Sequence, residues 1–433
     1  MKYTIKNLVI QIALLVIWVP STSFAVNYYV KTSGNNSNNG TSPNQAWRTI
    51  QKAADVAGAG DVVTIYGGTY NEDVTIKKSG SSGNPLKFTR NGNDTVITRS
   101  FYAEDKKYVE IGGMTCQNFS NRSGIRFRRG NNNKIISCTI RNGNASNSAA
   151  VRFDDCDNSE MLYCHVYNNN TGAQEAVRVD GNQNNFKIKN NNVHDNSFIG
   201  IDIIGREEVG DGEPYDGTIS YNDSWDNGYG WSVVGSGIYL DGCRQITVEY
   251  NKCMYNADAG IQIGAEPSGS DGHNNVVRYN RSYRNKDGLR IGSWRSINPS
   301  DVHNNTVHNN VFYKNNANEV NFEYWSPGRN NKFYNNIMYG TGSSEYLDDS
   351  KSGFGPGTEI NYNCYYNGAG VTLGSQSIVA NPNFENANGG NFRIKSGSPC
   401  INAGSNSYTK SPDAYGNTVR KGSKVDIGVH EKG

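Results

Sequence analysis

The stretch Val248-Glu-Tyr-Asn251 is answered 29 residues later by Val277-Arg-Tyr-Asn280, and 30 residues after that by Val307-His-Asn-Asn310. Followed in both directions, the last position of this phrase forms a column of Cys116, Cys138, Cys164, Asn191, Asn222, Asn251, Asn280, Asn310, Asn336 and Asn363, recurring every 22 to 31 residues. An apolar residue stands three places ahead of nearly every member, and Tyr, Asn or Ser usually stands one place ahead. Self-similarity at such a period marks a solenoid, whose repeats bury their apolar faces against their neighbours.

A second column sets the type of solenoid. Gly124-Ile-Arg-Phe, Ala150-Val-Arg-Phe, Ala176-Val-Arg-Val, Gly200-Ile-Asp-Ile, Gly237-Ile-Tyr-Leu, Gly260-Ile-Gln-Ile, Gly288-Leu-Arg-Ile and Glu319-Val-Asn-Phe alternate apolar with polar. That is strand periodicity, one face in and one face out. Two or more strands and their Asn- and Gly-rich turns fill each repeat and leave no room for a helix, which argues against leucine-rich, ankyrin and tetratricopeptide arrays. An all-β parallel β-helix remains. Coils stacked about 4.8 Å apart let asparagine side chains donate from one coil to the next as a ladder. These columns resemble the right-handed parallel β-helix proteins with a pectin-lyase-like fold, over essentially the whole mature chain.

Composition agrees. The chain of 433 residues has 49 glycines and 35% hydrophobic residues, thin for a globular core but suited to a narrow solenoid. Its 27 tyrosines and 14 phenylalanines, set in a regular pattern, argue against disorder. A net charge of +2 gives no global basic excess, so nucleic acid is not an expected partner. Lys2 and Lys6, the apolar run Leu8 to Val19 and the small-x-small segment Ser23-Phe-Ala25 read as a signal peptide over residues 1–25, which places the protein outside the cell or in the periplasm. Beyond it no apolar run is long enough to span a bilayer, and a monomer is expected. Of the eight cysteines, Cys116, Cys138 and Cys164 are read as buried thiols replacing asparagine in the ladder column, although neighbouring coils lie within disulfide reach.

Residues 26–108 read as an N-terminal cap and first coils, 109–366 as the repeats, and 367–433 as a C-terminal coil and cap. In the first of these, Ala46-Trp-Arg-Thr-Ile-Gln-Lys-Ala-Ala-Asp-Val-Ala57 predicts an amphipathic helix that plugs the open first coil. That opening, with Gly68-Thr-Tyr, is similar to the start of many exported β-helix carbohydrate enzymes.

The chemistry is sought on the outward face. One outward row reads Arg126, Arg152, Arg178, Asp202, Tyr239, Gln262, Arg290, Asn321, and a second, two residues on, reads Arg128, Asp154, Asp180, Ile204, Asp241, Gly264, Gly292, Glu323. Outward polar residues on a soluble sheet are ordinarily solvated pairs. Crowded carboxylates are less easily explained, because they repel unless a cation or shared proton relieves them. Asp180, Asp202 and Asp241 fall on successive coils, with Glu266 at the next strand end. The longest insertions, which carry Arg206, Trp231 and Trp294, leave the same strands, and such loops build binding walls. The segments Gly237-Ile-Tyr-Leu-Asp-Gly and Gly260-Ile-Gln-Ile-Gly-Ala-Glu resemble a pair of coils recurrent in bacterial β-helix proteins assigned to polysaccharide breakdown. The aspartate and lysine motifs of family 9 pectate lyases and the Asp-Pro-His motif of mannuronan epimerases are not found.

Three function classes follow. The expectation placed first is a secreted polysaccharide lyase of pectate-lyase type acting on an anionic, uronic-acid polymer. In it, Ca²⁺ held by Asp180, Asp202, Asp241 and Glu266 acidifies the C5 proton, Arg178 or Arg290 neutralises the enolate or removes the proton, Tyr239 serves as acid, and Arg152, Gln262, Arg206, Trp231 and Trp294 bind substrate. The second is an inverting glycoside hydrolase using Asp202 and Asp241, whose Cα atoms are expected about 8 Å apart. The third is a noncatalytic glycan-binding solenoid.

Overall fold

Each coil contributes one strand to each of three parallel sheets, and the stack forms a right-handed β-solenoid of about 10 turns. The computed structural model describes residues 25–432 apart from 145–147, 173, 206–211, 230–234, 268, 293–300, 323–327, 351–352 and 421. The first sheet has 13 strands and runs from Asn27–Val30 to Glu359–Asn361; the second has 11, from Asp73–Thr75 to Glu345–Asp348; the third has 13, from Gly68–Thr69 to Ile378–Val379. The inward column Ile125, Val151, Val177, Ile201, Ile238, Ile261, Leu289 and Val320 is in register across the second sheet and fully buried.

The predicted ladder is present. Asn191 Nδ2 donates to Asn222 Oδ1 at 2.9 Å, and the pattern continues through Asn251, Asn280, Asn310, Asn336 and Asn363 at 3.0 to 3.1 Å. Each amide is used fully: Asn251 also donates to the Ile219 carbonyl at 2.9 Å and accepts the Asn222 backbone N–H at 2.9 Å. The residue ahead of each ladder position takes left-handed φ, from 52° at Ser137 to 61° at Tyr250, which turns the corner. Tyrosine is uncommon there. Stacking offsets the strain, with Tyr221 and Tyr250 rings 4.8 Å apart.

Two further ladders escaped the sequence reading. Asn169, Asn196, Asn227, Asn256, Asn285 and Asn315 form one, with Nδ2 to Oδ1 distances of 3.0 to 3.2 Å. Asn275, Asn305 and Asn331 form the other. Both follow left-handed residues such as Asp195, Tyr255 and Asn304. The second ladder ends on a carboxyl: Glu319, fully buried, accepts Asn315 Nδ2 at 2.6 Å and the Ser344 hydroxyl at 3.2 Å.

One assignment is corrected. Cys138 and Cys164 occupy the ladder column, and Cys164 N–H donates to Asn191 Oδ1 at 2.8 Å. Cys116 does not: it pairs with Ile140 on the inward face of a third-sheet strand, two residues past the corner, where Met114 stands. All eight cysteines are buried and unpaired.

The helix is shorter than the amphipathic pattern, Ile50–Val56, because Ala46 is extended, Trp47 bridges Val30 as a strand residue, and Thr49 caps the helix by accepting the Lys52 N–H. Glu72, not an adjacent residue, accepts the Ile50 and Gln51 N–H groups at 3.0 and 2.8 Å, and Ile50, Ala53 and Ala54 form the buried face of the helix. After the last coil the chain returns along the solenoid wall: Lys410 Nζ reaches Glu249 at 2.7 Å, and Tyr250 donates to the Pro412 carbonyl at 2.7 Å. Residues 1–24 of the expected signal peptide lie outside the described residues, and among those described no helix is long and apolar enough to cross a membrane.

Replacing Asn251 with Leu strands the four hydrogen-bonding groups it joins, so unfolding stability should drop by at least about 3 kcal/mol. An unchanged denaturation midpoint would refute the ladder's role. Burial raises the Glu319 carboxyl to about 8, against the opposing pull of Asn315 and Ser344. The folded protein therefore keeps a proton that the unfolded chain releases near pH 4.5, and stability from this group falls as pH rises toward 8. Glu319→Gln should match the parent in thermal melting at pH 4.5 and exceed it at pH 9; equal melting differences at both pH values would contradict the assignment.

Candidate functional site

The register aligns Arg126, Arg152, Arg178, Asp202, Tyr239, Gln262, Arg290 and Asn321 across adjacent second-sheet strands, as the outward row requires. Asp154, Asp180, Ile204, Asp241 and Gly264 align two residues on. The row does not face open water, contrary to the expected solvent-facing geometry. Asp202 is 1% exposed, Tyr239 2% and Asp241 3%, although all point away from the barrel interior. On these central coils the outward side chains are buried as well, so the charges there are desolvated.

Toward the N-terminus, three arginines meet three carboxyls. Arg126 Nε lies 2.5 Å from Asp154, Arg152 pairs with Asp154 and reaches Asp180 at 2.8 Å, and Arg178 holds Asp180 at 2.8 Å and Glu175 at 3.6 Å. Asp154 is held below the usual carboxylate range: burial opposes this, but Asp180, Arg152 and Arg126 outweigh it. Asp180 is pushed up by burial and by Asp154, against Arg178 and Arg152. Toward the C-terminus, Arg290 is clamped by Asp258 through two 2.5 Å hydrogen bonds and by Asp287 at 2.7 Å, with Lys286 at 3.5 Å from Asp258. Arg178 and Arg290 are therefore both engaged with carboxylates.

Between these balanced clusters lies an unbalanced one. Asp202, Tyr239, Asp241 and Glu266 converge, and no described Lys, Arg or His forms an ion pair with the three carboxyls. Asp202 Oδ1 is buried without a hydrogen-bond partner. Asp241 Oδ1 accepts the Glu266 backbone N–H at 2.6 Å, and the Tyr239 hydroxyl donates to Glu266 Oε1 at 2.8 Å. Gly264 makes that reach possible, because a Cβ there would stand 2.4 Å from the Tyr239 hydroxyl. Burial first, then Glu175 and Asp241, push Asp202 well above the carboxylate range despite Arg178. Burial and Glu266 do the same to Asp241, against the N–H it accepts. Tyr239 is raised by burial and by Asp241 and Glu266.

Gln262 is held by the Ser236 hydroxyl at 2.9 Å. Of the proposed metal ligands, Asp180 does not join the others: arginines occupy it, and Ile204 separates it from Asp241, two coils or about 10 Å away. Among the described residues no group of three His, Cys, Asp or Glu side chains is arranged to hold one ion. Arg206, Trp231 and Trp294 lie outside the described residues. The sequence reading missed Glu175, Asp258 and Asp287. Glu175 and Asp287 each stand two residues before the first inward residue of a strand, where Ala149 and Ser236 occupy the same place, so a carboxylate in that column was the available signal. An open cleft of about 400 Å³ on the first sheet is lined by Glu110, Lys134, Glu160 and Lys187, which neutralise one another and carry no comparable acid–base group.

Comparison with known proteins matches the family described as "Right handed beta helix region" over residues 55–210 and 173–337. The uncharacterized protein YwoF of Bacillus subtilis (strain 168) is 30% identical over 310 residues, 61% of this chain and 64% of that protein, so the chain spans less than two thirds of this relative. Among solved structures, pectate lyase Pel9A superposes with a TM-score of 0.59 at 16% identity, covering 95% of this chain and 97% of that one. The GH136 lacto-N-biosidase from Eubacterium ramulus gives 0.60 at 14% identity, covering 77% and 66%. A variant of the PL6 family alginate lyase AlyGC gives 0.57 at 13% identity, covering 81% and 55%. At these identities the likeness is one of fold.

Because burial and the neighbouring Glu175 and Asp241 raise Asp202 in the folded state above its ordinary value of 3.8, its contribution to stability is fully present below about pH 4 and declines as pH rises toward the raised folded value. Asp202→Asn, which copies the protonated shape, should therefore raise the chemical denaturation midpoint at pH 7.5 and leave it nearly unchanged at pH 4. A variant less stable at pH 7.5 would show that Asp202 is ionised and compensated.

Proposed function

Since the chain belongs to the right-handed beta helix family, whose rigid sheets hold side chains at fixed spacing, we propose that it is a carbohydrate-active enzyme that cleaves glycosidic bonds with Asp202 and Asp241. The observation that carries this reading is the buried, unpartnered Asp202 oxygen one coil from a second raised carboxyl. A carboxyl that keeps its proton near neutral pH is suited to protonate a leaving glycosidic oxygen. Asp241, whose carboxylate form is stabilised by the Glu266 N–H, takes the opposite part and activates water. One coil and two residues separate their backbones by about 8 Å, and carboxyls held at that spacing fall in the range of inverting rather than retaining pairs. Tyr239 and Glu266 position Asp241, and Gln262 offers its amide to a sugar hydroxyl. The names of the solved structures that share the fold, a pectate lyase, a lacto-N-biosidase and an alginate lyase, support a carbohydrate substrate.

A second reading is β-elimination on a uronic-acid polymer, with Ca²⁺ relieving Asp202 and Asp241 and the substrate carboxylate completing its ligands, since the described residues alone bring no three such side chains together. The same unpartnered oxygen favours it, since a cation relieves crowded carboxylates as well as a proton does. It lacks a free base, because Arg178 and Arg290 are both engaged. Export of the protein belongs to either reading.

Asp202→Asn and Asp241→Asn should each lower the release of reducing ends by about 10² or more, the scale of a lost acid or base, whereas Arg126→Gln, three coils away, should have little effect. Reducing ends without absorbance near 235 nm, unaffected by EDTA, support hydrolysis; absorbance that EDTA abolishes and Ca²⁺ restores transfers the assignment to the lyase. Full activity in both Asn variants would place the chemistry elsewhere.

A further inference from the structure

We propose that this centre takes an uncharged glycan and discriminates against uronic-acid polymers; the inference rests on the Asp202–Asp241 cleavage reading. Its basis is a charge census of the second sheet. Among the described residues Arg126, Arg152 and Arg178 pair with Asp154, Asp180 and Glu175. Arg290 and Lys286 likewise pair with Asp258 and Asp287. Asp287 is further saturated by Asn318 at 2.9 Å and Asn321 at 3.1 Å.

Each of these arginines spends its guanidinium on a carboxylate of its own sheet. A uronate entering the centre would have to displace a buried carboxylate from a fixed coil, leaving that charge buried and unpaired. Among the described residues no cation forms an ion pair with Asp202, Asp241 or Glu266, which stand where the sugar is cleaved. A substrate carboxylate about 6 Å from one ionised member, at an effective dielectric constant of about 20, loses affinity on the order of 100-fold. The groups left to meet a sugar are neutral or accepting: the Gln262 amide, the unpartnered Asp202 oxygen and the Asp241 carboxyl. They suit hydroxyls, which donate and accept without charge. Arginines that could have met an anionic polymer are instead spent on the protein's own carboxylates.

The test uses the full chain and matched polymers that differ only in charge: polygalacturonate and alginate, each beside its carboxyl-reduced form, with neutral xylan, galactan and N-acetyllactosamine-type oligosaccharides. Retention on immobilised glycans and reducing-end release are read in EDTA, so that no cation masks the centre's charge. Uncharged members should be bound or cleaved at least tenfold better than the matched uronates. Uronates handled as well as their reduced forms, or no uncharged member engaged, overturns the proposal. If Asp202→Asn abolishes uronate cleavage, the site stands and the charge inference alone falls; if uronate cleavage survives in that variant, the site itself is misplaced.

Discussion

Everything in this solenoid depends on keeping coils stacked at one spacing while the corners bury backbone and side-chain amides. A corner residue at left-handed φ exposes polar groups that the next coil must satisfy, and asparagine does so with one carbonyl and two N–H donors. Asn251 bonds upward, downward and to the backbone at once. Any residue that left one of these groups unpaired would bear a desolvation penalty with no water at hand. Where the ladder gives way to Cys138 and Cys164, thiols donate weakly to carbonyls at 3.4 and 3.6 Å, so the smaller side chain still fills the corner.

That rigidity makes the outer row chemically meaningful. On a flexible surface, Asp202 and Asp241 would separate or find cations. Here their backbones are fixed by ladder hydrogen bonds on both neighbouring corners, and cover from outside removes the water that would solvate them. Burial and the neighbouring carboxyls push Asp202 and Asp241 up, the direction that a general acid requires. Arginine–carboxylate clusters on either side settle their own charges internally and so do not quench the centre.

Legibility followed periodicity. The inward column, the strand register and the first ladder could be read because each repeats a residue type at a fixed offset. The second and third ladders repeat asparagine just as faithfully, but in an asparagine-rich chain their columns, such as Asn227, Asn256 and Asn285, lay among turn residues and passed for ordinary loop composition. Cys116 was misplaced because the spacing to Cys138 is the shortest in its column, and a two-residue slip moves a corner residue onto an inward strand position. At the site, register put Asp202, Tyr239 and Asp241 together correctly. What periodicity does not encode is which charge pairs with which. Arg152 and Arg178 stand beside Asp180 in the sequence-derived rows, but that they close it off, and that Glu175 joins them, depends on side-chain reach and on burial from outside the barrel.

The same distinction bears on how such a scaffold changes its chemistry. Inward residues and ladder asparagines are coupled to both neighbouring coils, so a substitution there is felt along the stack. Outward residues are coupled chiefly through charge, and a single change alters the balance without moving the backbone. Gly264 is the exception: it faces outward, yet the absence of its side chain lets the Tyr239 hydroxyl reach Glu266. The centre is thus set by one missing Cβ, and by the want of a paired cation among the described residues, as much as by the carboxyls themselves. A lysine or arginine placed within reach of Asp202 would convert it into one more neutral cluster like those on either side, and the sheet would keep its fold while losing its proton-holding group.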